Sequence, residues 1–134
     1  MYYTNKTVLE FLEKCKTYYL ATVEDGEPRV RPFGTIDLYD GGLYIQTGRV
    51  KDVSKQLAAN PAFELCAFNG SEWIRINGRL VEDDRQSARE HMLEKYPDLK
   101  AIYKPDDGNT QVFRMENARA VIYSFNSIPI EIMV

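Results

Sequence analysis

Tight-turn signals recur at short intervals along the sequence and constrain its fold more than any other feature. Asp25-Gly26, Asp40-Gly-Gly42 and Asn69-Gly70 each separate two short runs rich in β-branched and aromatic residues. Such dipeptides between strand-like runs are typical of antiparallel hairpins. Because the helical patterns are few and short, the sequence predicts a mainly β fold: a small antiparallel barrel of six to eight strands with a few peripheral helices, not a doubly wound sheet.

Size and composition predict one ordinary globular domain over residues 1–134. The net charge is negative, so the protein as a whole does not attract nucleic acid or anionic membranes. The formal net charge is −3 and 44% of the residues are hydrophobic. No apolar run approaches the roughly 20 residues needed to cross a bilayer, and the first residues lack the apolar region of a signal peptide. We therefore expect a cytoplasmic protein in which Cys15 and Cys66 are reduced and mostly buried.

Two predicted strands and the helix after them carry the basic residues of interest. Pro28 to Tyr39 is predicted as one long strand, with Arg29 and Arg31 on the same side by the period of two. Leu43 to Thr47 is predicted as the next strand. A short amphipathic helix follows from Asp52 to Ala59 and ends before Pro61. A tight turn joins the two strands, so we expect their cations to be neighbours.

The segment Thr47-Gly-Arg-Val-Lys51, directly before this helix, has the chemical groups of an anion-binding site. It offers a hydroxyl, backbone N–H groups, two cations and the positive end of a helix dipole. With the guanidinium fork of Arg31, such donors can surround a phosphate. The alternative interpretation is a set of scattered surface cations, which is where most Arg and Lys side chains lie. The sequence thus favours a phosphate site without excluding the alternative.

The second half of the chain offers fewer candidates for chemistry. Gly78 is predicted to form a bulge in a strand from Trp73 to Val81, and Gln111–Met115 and Ala118–Phe125 are predicted as separate strands. Asp83-Asp84 are expected to cap a helix that starts near residue 85. The single histidine, His91, has no partner at ligand spacing, so no metal site is expected.

Several stretches resemble the pyridoxamine 5′-phosphate oxidase-like family, the FMN-binding split β-barrels. They occur in the family's order and cover nearly the whole chain: Tyr19-Leu-Ala-Thr22, Pro28-x-Val-Arg-Pro-Phe33, Leu43-Tyr-Ile-Gln-Thr-Gly-Arg-Val-Lys51, Lys55-Gln-Leu-Ala-Ala-Asn-Pro61 and Trp73-Ile-Arg-Ile-Asn-Gly-Arg79. The short chain is most similar to stand-alone bacterial members, some of them labelled nitroimidazole-resistance-like. The resemblance implies an antiparallel split β-barrel that binds FMN.

The resemblance also assigns roles by position. It implies that Arg31 and Lys51 hold the FMN phosphate, and that further donors come from Gln46, Thr47, Gly48 and Arg49. It implies that the isoalloxazine ring lies beside the main chain of Pro32, Phe33, Gly34 and Thr35. In the family the flavin lies at a homodimer interface. Trp73 is then a candidate to reach the flavin across that interface, or else a core or interface aromatic residue.

Departures from the family pattern limit the reaction. The chain is much shorter than the oxidase itself, and Ile128–Val134 lacks the Trp and Arg motif expected there for pyridoxal phosphate. We therefore expect an FMN-dependent oxidoreductase with another small-molecule substrate. The alternatives are a non-catalytic flavin- or haem-binding or sensing module, and a deazaflavin-dependent reductase. With His91 as the only histidine, the sequence argues against an axial haem ligand.

Overall fold

Eight strands and three α-helices make up the computed structural model, which describes residues 3–134. In chain order they are α1 (Asn5–Cys15), β1 (Tyr18–Glu24), β2 (Glu27–Phe33), β3 (Asp37–Tyr39), β4 (Gly42–Gly48), α2 (Asp52–Ala59), β5 (Ala62–Phe68), β6 (Glu72–Glu82), α3 (Gln86–Lys95), a 3₁₀ helix (Pro97–Ala101), β7 (Thr110–Ser124) and β8 (Ile130–Met133). This is the predicted mainly β architecture with peripheral helices.

All strand pairs are antiparallel, as expected for a split barrel. The sheet runs in the order β2-β1-β5-β6-β7-β4-β3, and β8 pairs with β7 beside β4. The predicted hairpin turns are confirmed. Asp25 and Gly26 both have positive φ, as do Asp40 and Gly41, which is the backbone geometry of a two-residue turn that matches strand twist.

The prediction of one strand from Pro28 to Tyr39 is wrong. β2 ends at Phe33, and the chain resumes as β3 at Asp37, at the opposite end of the sheet. Side chains replace strand pairing in the gap, since the Tyr18 hydroxyl donates to the carbonyl of Thr35 and the Gln46 N–H donates to the Thr35 hydroxyl. Consequently β2 does not pair with β4. No hairpin connects the two strands, so none places their cations side by side.

A bulge lies opposite Gly78, but it belongs to β7 and not to the predicted strand that contains Gly78, and it explains the strands predicted after it. Between Asn77 and Arg79 the register on β7 moves from Arg119 to Glu116, so the extra residue belongs to β7. Asn117 in this bulge has φ 47°. The bulge reverses the inward-outward alternation, which is why one continuous strand, β7, reads in the sequence as two shorter ones.

The main core lies between the inner face of the sheet and two helices, α1 and α2. α1 contributes Val8 and Leu12, and α2 contributes Val53 and Leu57. A smaller cluster lies on the other face of β4, where Tyr44 and Val112 pack against α3 through buried side chains of that helix, Ala88 and Met92. α3 therefore covers part of the outer surface of the sheet.

The α2 helix links the two ends of the sheet, because it packs on both β1 and β4. These strands are far apart in the sheet order, with β5, β6 and β7 between them. One flank of α2 thus faces the β1–β2 hairpin and the other faces β6 and β7. This arrangement positions the basic residues described below.

Two smaller predictions need correction. Asp83 and Asp84 do not cap α3, whose N-cap is Arg85 with no capping side chain. Cys66 is exposed, not buried, because Phe63, Leu65 and Ala67 take the inward positions of β5. Within residues 3–134, no helix is both long and apolar enough to span a membrane.

Candidate functional site

A buried polar network holds the guanidinium of Arg31 on the inner side of β1 and β2. Its Nη1 donates to the Leu20 carbonyl at 3.2 Å and to Thr22 Oγ1 at 2.8 Å, and its Nη2 donates to Gln56 Oε1 at 2.5 Å. Gln56 Nε2 in turn donates to Glu24 Oε2 at 2.9 Å. Three of the five N–H donors of Arg31 are therefore fixed, and the side chain is held in place before any ligand arrives.

Burial lowers the pKa of Arg31, and the carboxylate of Asp52, the first residue of α2, opposes this shift. The guanidinium remains charged, because arginine is not deprotonated in proteins. Its Nε–H and one Nη2–H have no acceptor among the described residues. Arg31 thus presents a partly desolvated charge with two free donors, which favours an anion over water.

The N-terminus of α2 adds a second source of positive potential. Lys51 is its N-cap residue and is exposed, and no side chain caps the helix. The Ser54 N–H bonds back to the Lys51 carbonyl, whereas the Asp52 and Val53 N–H groups find no acceptor within residues 3–134. The Asp52 carboxylate is the only acidic side chain in this first turn. Arg31 contacts Gln56 in the next turn and interacts electrostatically with Asp52, so Arg31 and Lys51 both lie near the start of α2.

Arg49 lies on the other flank of α2. Its Nε donates to the Gly108 carbonyl at 3.1 Å, and its Nη2 pairs with Glu82 Oε2 at 3.1 Å. These contacts tie Arg49 to β6 and to the loop before β7. The structure thus separates Arg49 from Arg31, although the sequence suggested that a tight turn would bring them together.

The three β4 residues before Arg49 point in different directions. Thr47 lies on the inner face, opposite Gln111, whereas Gln46 lies on the outer face, opposite Val112. The side-chain amide of Gln46 donates to the Thr47 carbonyl. At Gly48 an added Cβ would lie 3.1 Å from side-chain atoms of Asn109 and Tyr103, so a larger residue would push on both side chains. Only Thr47 shares the inner side with Arg31.

The stretch Pro32–Thr35 begins at the end of β2, leaves the sheet after Phe33 and is anchored at its far end. Thr35 is held by Tyr18 and Gln46, and the next residue, Ile36, accepts at its carbonyl from Tyr96 Oη at 2.9 Å. Pro32 and Gly34 remain exposed, while Phe33 is half-buried against the Tyr18 ring. The result is a fixed, accessible length of main chain beside Arg31.

Trp73 lies on the opposite face of the sheet from Arg31. Its ring stacks on Tyr123 with a centroid separation of 5.4 Å and contacts Phe125 at 5.1 Å. Ile74 and Ile76 take the inward positions of β6, so Trp73 and Arg75 face outwards. Within one subunit, Trp73 and Arg31 therefore do not face a common ligand.

Sequence reasoning missed Thr22 and Gln56, the two residues that position Arg31. Both are almost fully buried, at 2% and 6% exposure. A signal was available. Thr22 follows Leu20 on the inward side of β1, and Gln56 lies beside Val53 and Leu57 on the packed face of α2. A polar residue at a position where the period predicts an apolar one indicates a buried hydrogen-bond network.

His91 is exposed as predicted but is not isolated. Its Nδ1 lies 2.6 Å from Oδ2 of the buried Asp37, and its ring packs against Tyr39. The pair joins α3 to β3, on the other side of β4 from Thr47. Among residues 3–134, no group of three or more His, Cys, Asp and Glu side chains could hold a metal ion.

Comparison with known proteins identifies the family. A family model described as pyridoxamine 5′-phosphate oxidase matches residues 4–122. The chain belongs to the pyridoxamine 5′-phosphate oxidase family. Among solved structures, this oxidase-family member is similar to a NimC/NimA family protein from Clostridium acetobutylicum. The two are 39% identical with a TM-score of 0.93, over 96% of this chain and 91% of that chain.

More distant structures share the oxidase-family fold. A pyridoxamine 5′-phosphate oxidase-related, FMN-binding protein from Nostoc punctiforme is 18% identical with a TM-score of 0.69, over 90% of this chain and 80% of that chain. A heme-binding protein from Mycobacterium smegmatis is 16% identical with a TM-score of 0.66, over 91% and 57%. No curated protein matches the chain. The same fold thus occurs in a protein described as FMN binding and in one described as heme binding.

Proposed function

We propose that the protein binds FMN and acts as an FMN-dependent oxidoreductase on a small-molecule substrate, as a homodimer. The observation that carries the proposal is the arrangement of Arg31. Its guanidinium is held by Thr22 and Gln56 beside the uncapped first turn of α2, with free donors remaining. A fixed cation fork beside free helix N–H groups matches the geometry and charge of a phosphate monoester.

The phosphate would be held by Arg31, Lys51 and the first turn of α2. Arg31 supplies two donors in one plane, and Lys51 supplies a mobile charge from the N-cap position. The free N–H groups of Asp52 and Val53 supply the helix-terminus part of the site. In this proposal Arg49 contributes less, because Glu82 already neutralises its charge.

The isoalloxazine ring would lie along the Pro32–Thr35 main chain. β2 is an end strand of the sheet, so half of its backbone N–H and C=O groups have no strand partner among the described residues. These groups can hydrogen-bond the polar edge of a flat ring, and the exposed Gly34 adds no side chain there. FMN supplies hydride or electron exchange when bound, and the protein supplies position and hydrogen bonds.

The residues of this chain, and not the related solved structures, support a flavin more than a haem. One distant structure is described as FMN binding and another as heme binding. A haem site requires an axial ligand, most commonly histidine. The single histidine, His91, is bound to Asp37 and lies on the other side of β4 from the inner-face residue Thr47. Arg31 and Lys51 have a role in the flavin proposal and none in haem ligation.

The homodimer part of the proposal rests on the opposed faces of Arg31 and Trp73. A flavin held by Arg31 of one subunit can meet only the Trp73 of a second subunit. The outer face that carries Trp73 also exposes Tyr19 and Phe68, at 54% and 57%. Contiguous apolar surface of this kind is typical of subunit interfaces.

Removal of either phosphate-binding cation tests the proposal. In Arg31→Ala and Lys51→Ala, we expect the Kd for FMN to rise about 10- to 100-fold, because each change removes a charge-assisted contact worth roughly 1.5–3 kcal/mol. Titration with FMN, followed by quenching of flavin fluorescence, measures the effect. Arg29→Ala is the matched control, since Arg29 lies on the same side of β2 but contacts only the neighbouring Pro28 carbonyl.

The absorption spectrum of the purified protein separates flavin from haem. We expect flavin bands near ~375 and ~450 nm, since the cofactor carries the chromophore. A Soret band would contradict the proposal, as would a protein that takes up no FMN. Arg31→Ala and Lys51→Ala variants that both keep the parent affinity would overturn the phosphate assignment while leaving flavin binding intact.

A further inference from the structure

A second groove lies on the flank of α2 that faces away from Arg31. Its cavity has a volume of about 530 Å³ and lies between α2 and the second half of β6. The periodicity of the helix separates its two flanks. Ser54, Leu57 and Ala58 line only this groove, Asp52 and Gln56 line only the cavity on the β1 side, and the exposed Lys55 borders both. The groove is therefore distinct from the Arg31 network, and its volume is within the range of small-molecule sites.

The polar wall of the groove satisfies its own hydrogen bonds. Gln111 Nε2 donates to Glu82 Oε1, while Arg49 pairs with Glu82 Oε2. Ser54 Oγ donates to Gln111 Oε1. Glu82, the only acidic residue of the lining, is thus neutralised by Arg49.

Two further cations of the lining have no such partner. Lys55 on α2 and Arg79 on β6 make no ion pair with any of the residues 3–134. Both are exposed, and Ala58, Pro61 and Val81 form an apolar surface in the same groove. The net charge of the lining is positive, although the chain as a whole carries −3. A groove with two unpaired cations beside an apolar surface is complementary to an organic anion with an apolar body.

We propose that this groove, the α2–β6 groove, is a second binding site that takes a small aromatic carboxylate. The carboxylate lies between Lys55 and Arg79, and the ring packs on Ala58, Pro61 and Val81. Aromatic carboxylates fit better than phosphate alone, because the apolar surface gives no contact to an inorganic anion. The site does not depend on the proposed flavin function and is testable without it.

Binding of a matched pair of probes tests the α2–β6 groove. We would titrate 2-naphthoate and its uncharged analogue 2-naphthamide into the FMN-loaded protein and, in parallel, into protein without FMN. Amide chemical shifts in NMR spectra give both the affinity and the location. We expect saturable shifts at Ala58 and Val81 with naphthoate and at least tenfold weaker binding of the amide, since loss of the charge removes the contacts to Lys55 and Arg79.

Charge variants locate the carboxylate. Lys55→Gln and Arg79→Gln should each weaken naphthoate binding about tenfold, and Ala58→Glu should abolish it by placing like charge on the groove. Glutamate is a good helix former, so this exposed change leaves α2 folded. Lys6→Gln, on the exposed side of α1, removes one positive charge elsewhere and should leave binding unchanged.

Three outcomes would overturn the proposal. They are equal binding of naphthoate and naphthamide, shifts confined to the outer face around Tyr19 and Phe68, and equal weakening by Lys6→Gln. Each is independent of FMN, because the measurement without flavin gives the same comparison. Failure of FMN binding would leave the groove result unaffected, and failure of the groove would leave the FMN titration unaffected.

Discussion

Gly78 occupies a point where β6 and the bulge of β7 approach too closely for any side chain. A Cβ at this position would lie 2.7 Å from the Cα of Ala118 and 2.9 Å from the carbonyl oxygen of Asn117. These are backbone atoms of a central strand, so they cannot move aside as a flexible side chain would. The glycine is therefore required by close packing and not by an unusual φ angle.

Gly78→Ala should lower the free energy of unfolding by about 1–3 kcal/mol, the usual range for overpacking a core. Urea unfolding followed by tryptophan fluorescence measures the change. Gly34→Ala, studied without flavin, is the matched control, since its added Cβ would meet only the Lys16 carbonyl at 3.6 Å. Equal stability of the two variants would show that the bulge relaxes around a methyl group.

Single residues also show what the sequence could and could not predict about the site. The residue type of Arg31 and its place in a family pattern predict an anion ligand, and this stays a prediction. Thr22 and Gln56, which fix its guanidinium, were not predicted, because a hydrogen bond between β1 and α2 depends on how the helix crosses the sheet. Local periodicity predicts which side chains point inwards, but not which of them meet.

Asp83 links β4 to the start of α3. It accepts hydrogen bonds from Tyr44 Oη on β4, at 2.7 Å, and from the guanidinium and backbone N–H of Arg85. The hydrogen-bonded Arg85 guanidinium holds the pKa of Asp83 well below its usual range, with desolvation opposing and the Tyr44 hydroxyl assisting. These contacts fix the start of α3, which has no capping side chain.

The lowered pKa of Asp83 predicts a loss of stability in acid. A carboxyl group whose folded pKa is depressed stabilises the fold at pH values above its unfolded pKa of about 3.9, and this contribution is lost as the pH falls towards the folded pKa. Urea midpoints measured at pH 7, 5 and 3 should therefore decline between pH 5 and 3. Asp83→Asn should have a lower midpoint at pH 7 and a flatter decline.

Asp84→Asn provides the control for this measurement, because its exposed carboxylate makes only a long pair with Arg89. Its pH profile should match that of the parent. Identical profiles for Asp83→Asn, Asp84→Asn and the parent would mean that the Tyr44–Asp83–Arg85 contacts add nothing to stability.

At the level of elements, hairpins were predictable and long-range pairing was not. The turns at Asp25-Gly26 and Asp40-Gly41 require left-handed backbone angles that these residues favour, so the sequence marks them directly. The break between β2 and β3 is held by Tyr18, Gln46 and Tyr96, which come from distant parts of the chain. No local signal separates such a break from a continuous strand.

At the scale of the whole molecule, the outer face of the sheet is the surface proposed to form the homodimer. Phe68 lies directly opposite Trp73 across β5 and β6, and Tyr19 on β1 lies opposite Cys66, diagonally from Phe68, so the three form an apolar patch. An isolated subunit would expose this surface to water, at a cost of roughly 25 cal/mol per Å² of apolar area that association could bury. The proposed homodimer covers this face and brings the Trp73 of one subunit to the flavin of the other.

Phe68→Glu should convert the dimer to a monomer, because it places a charge in the middle of the apolar face. Light scattering at micromolar concentration should give twice the chain mass of 15.5 kDa for the parent and the mass of one chain for the variant. Ile102→Glu, at a position that is 76% exposed and lies outside this face, should remain dimeric. FMN affinity should fall with the dimer, since Arg31 and Trp73 of one subunit lie on opposite faces. A monomeric Phe68→Glu variant with parental FMN affinity would contradict the shared site, while leaving the phosphate roles of Arg31 and Lys51 standing.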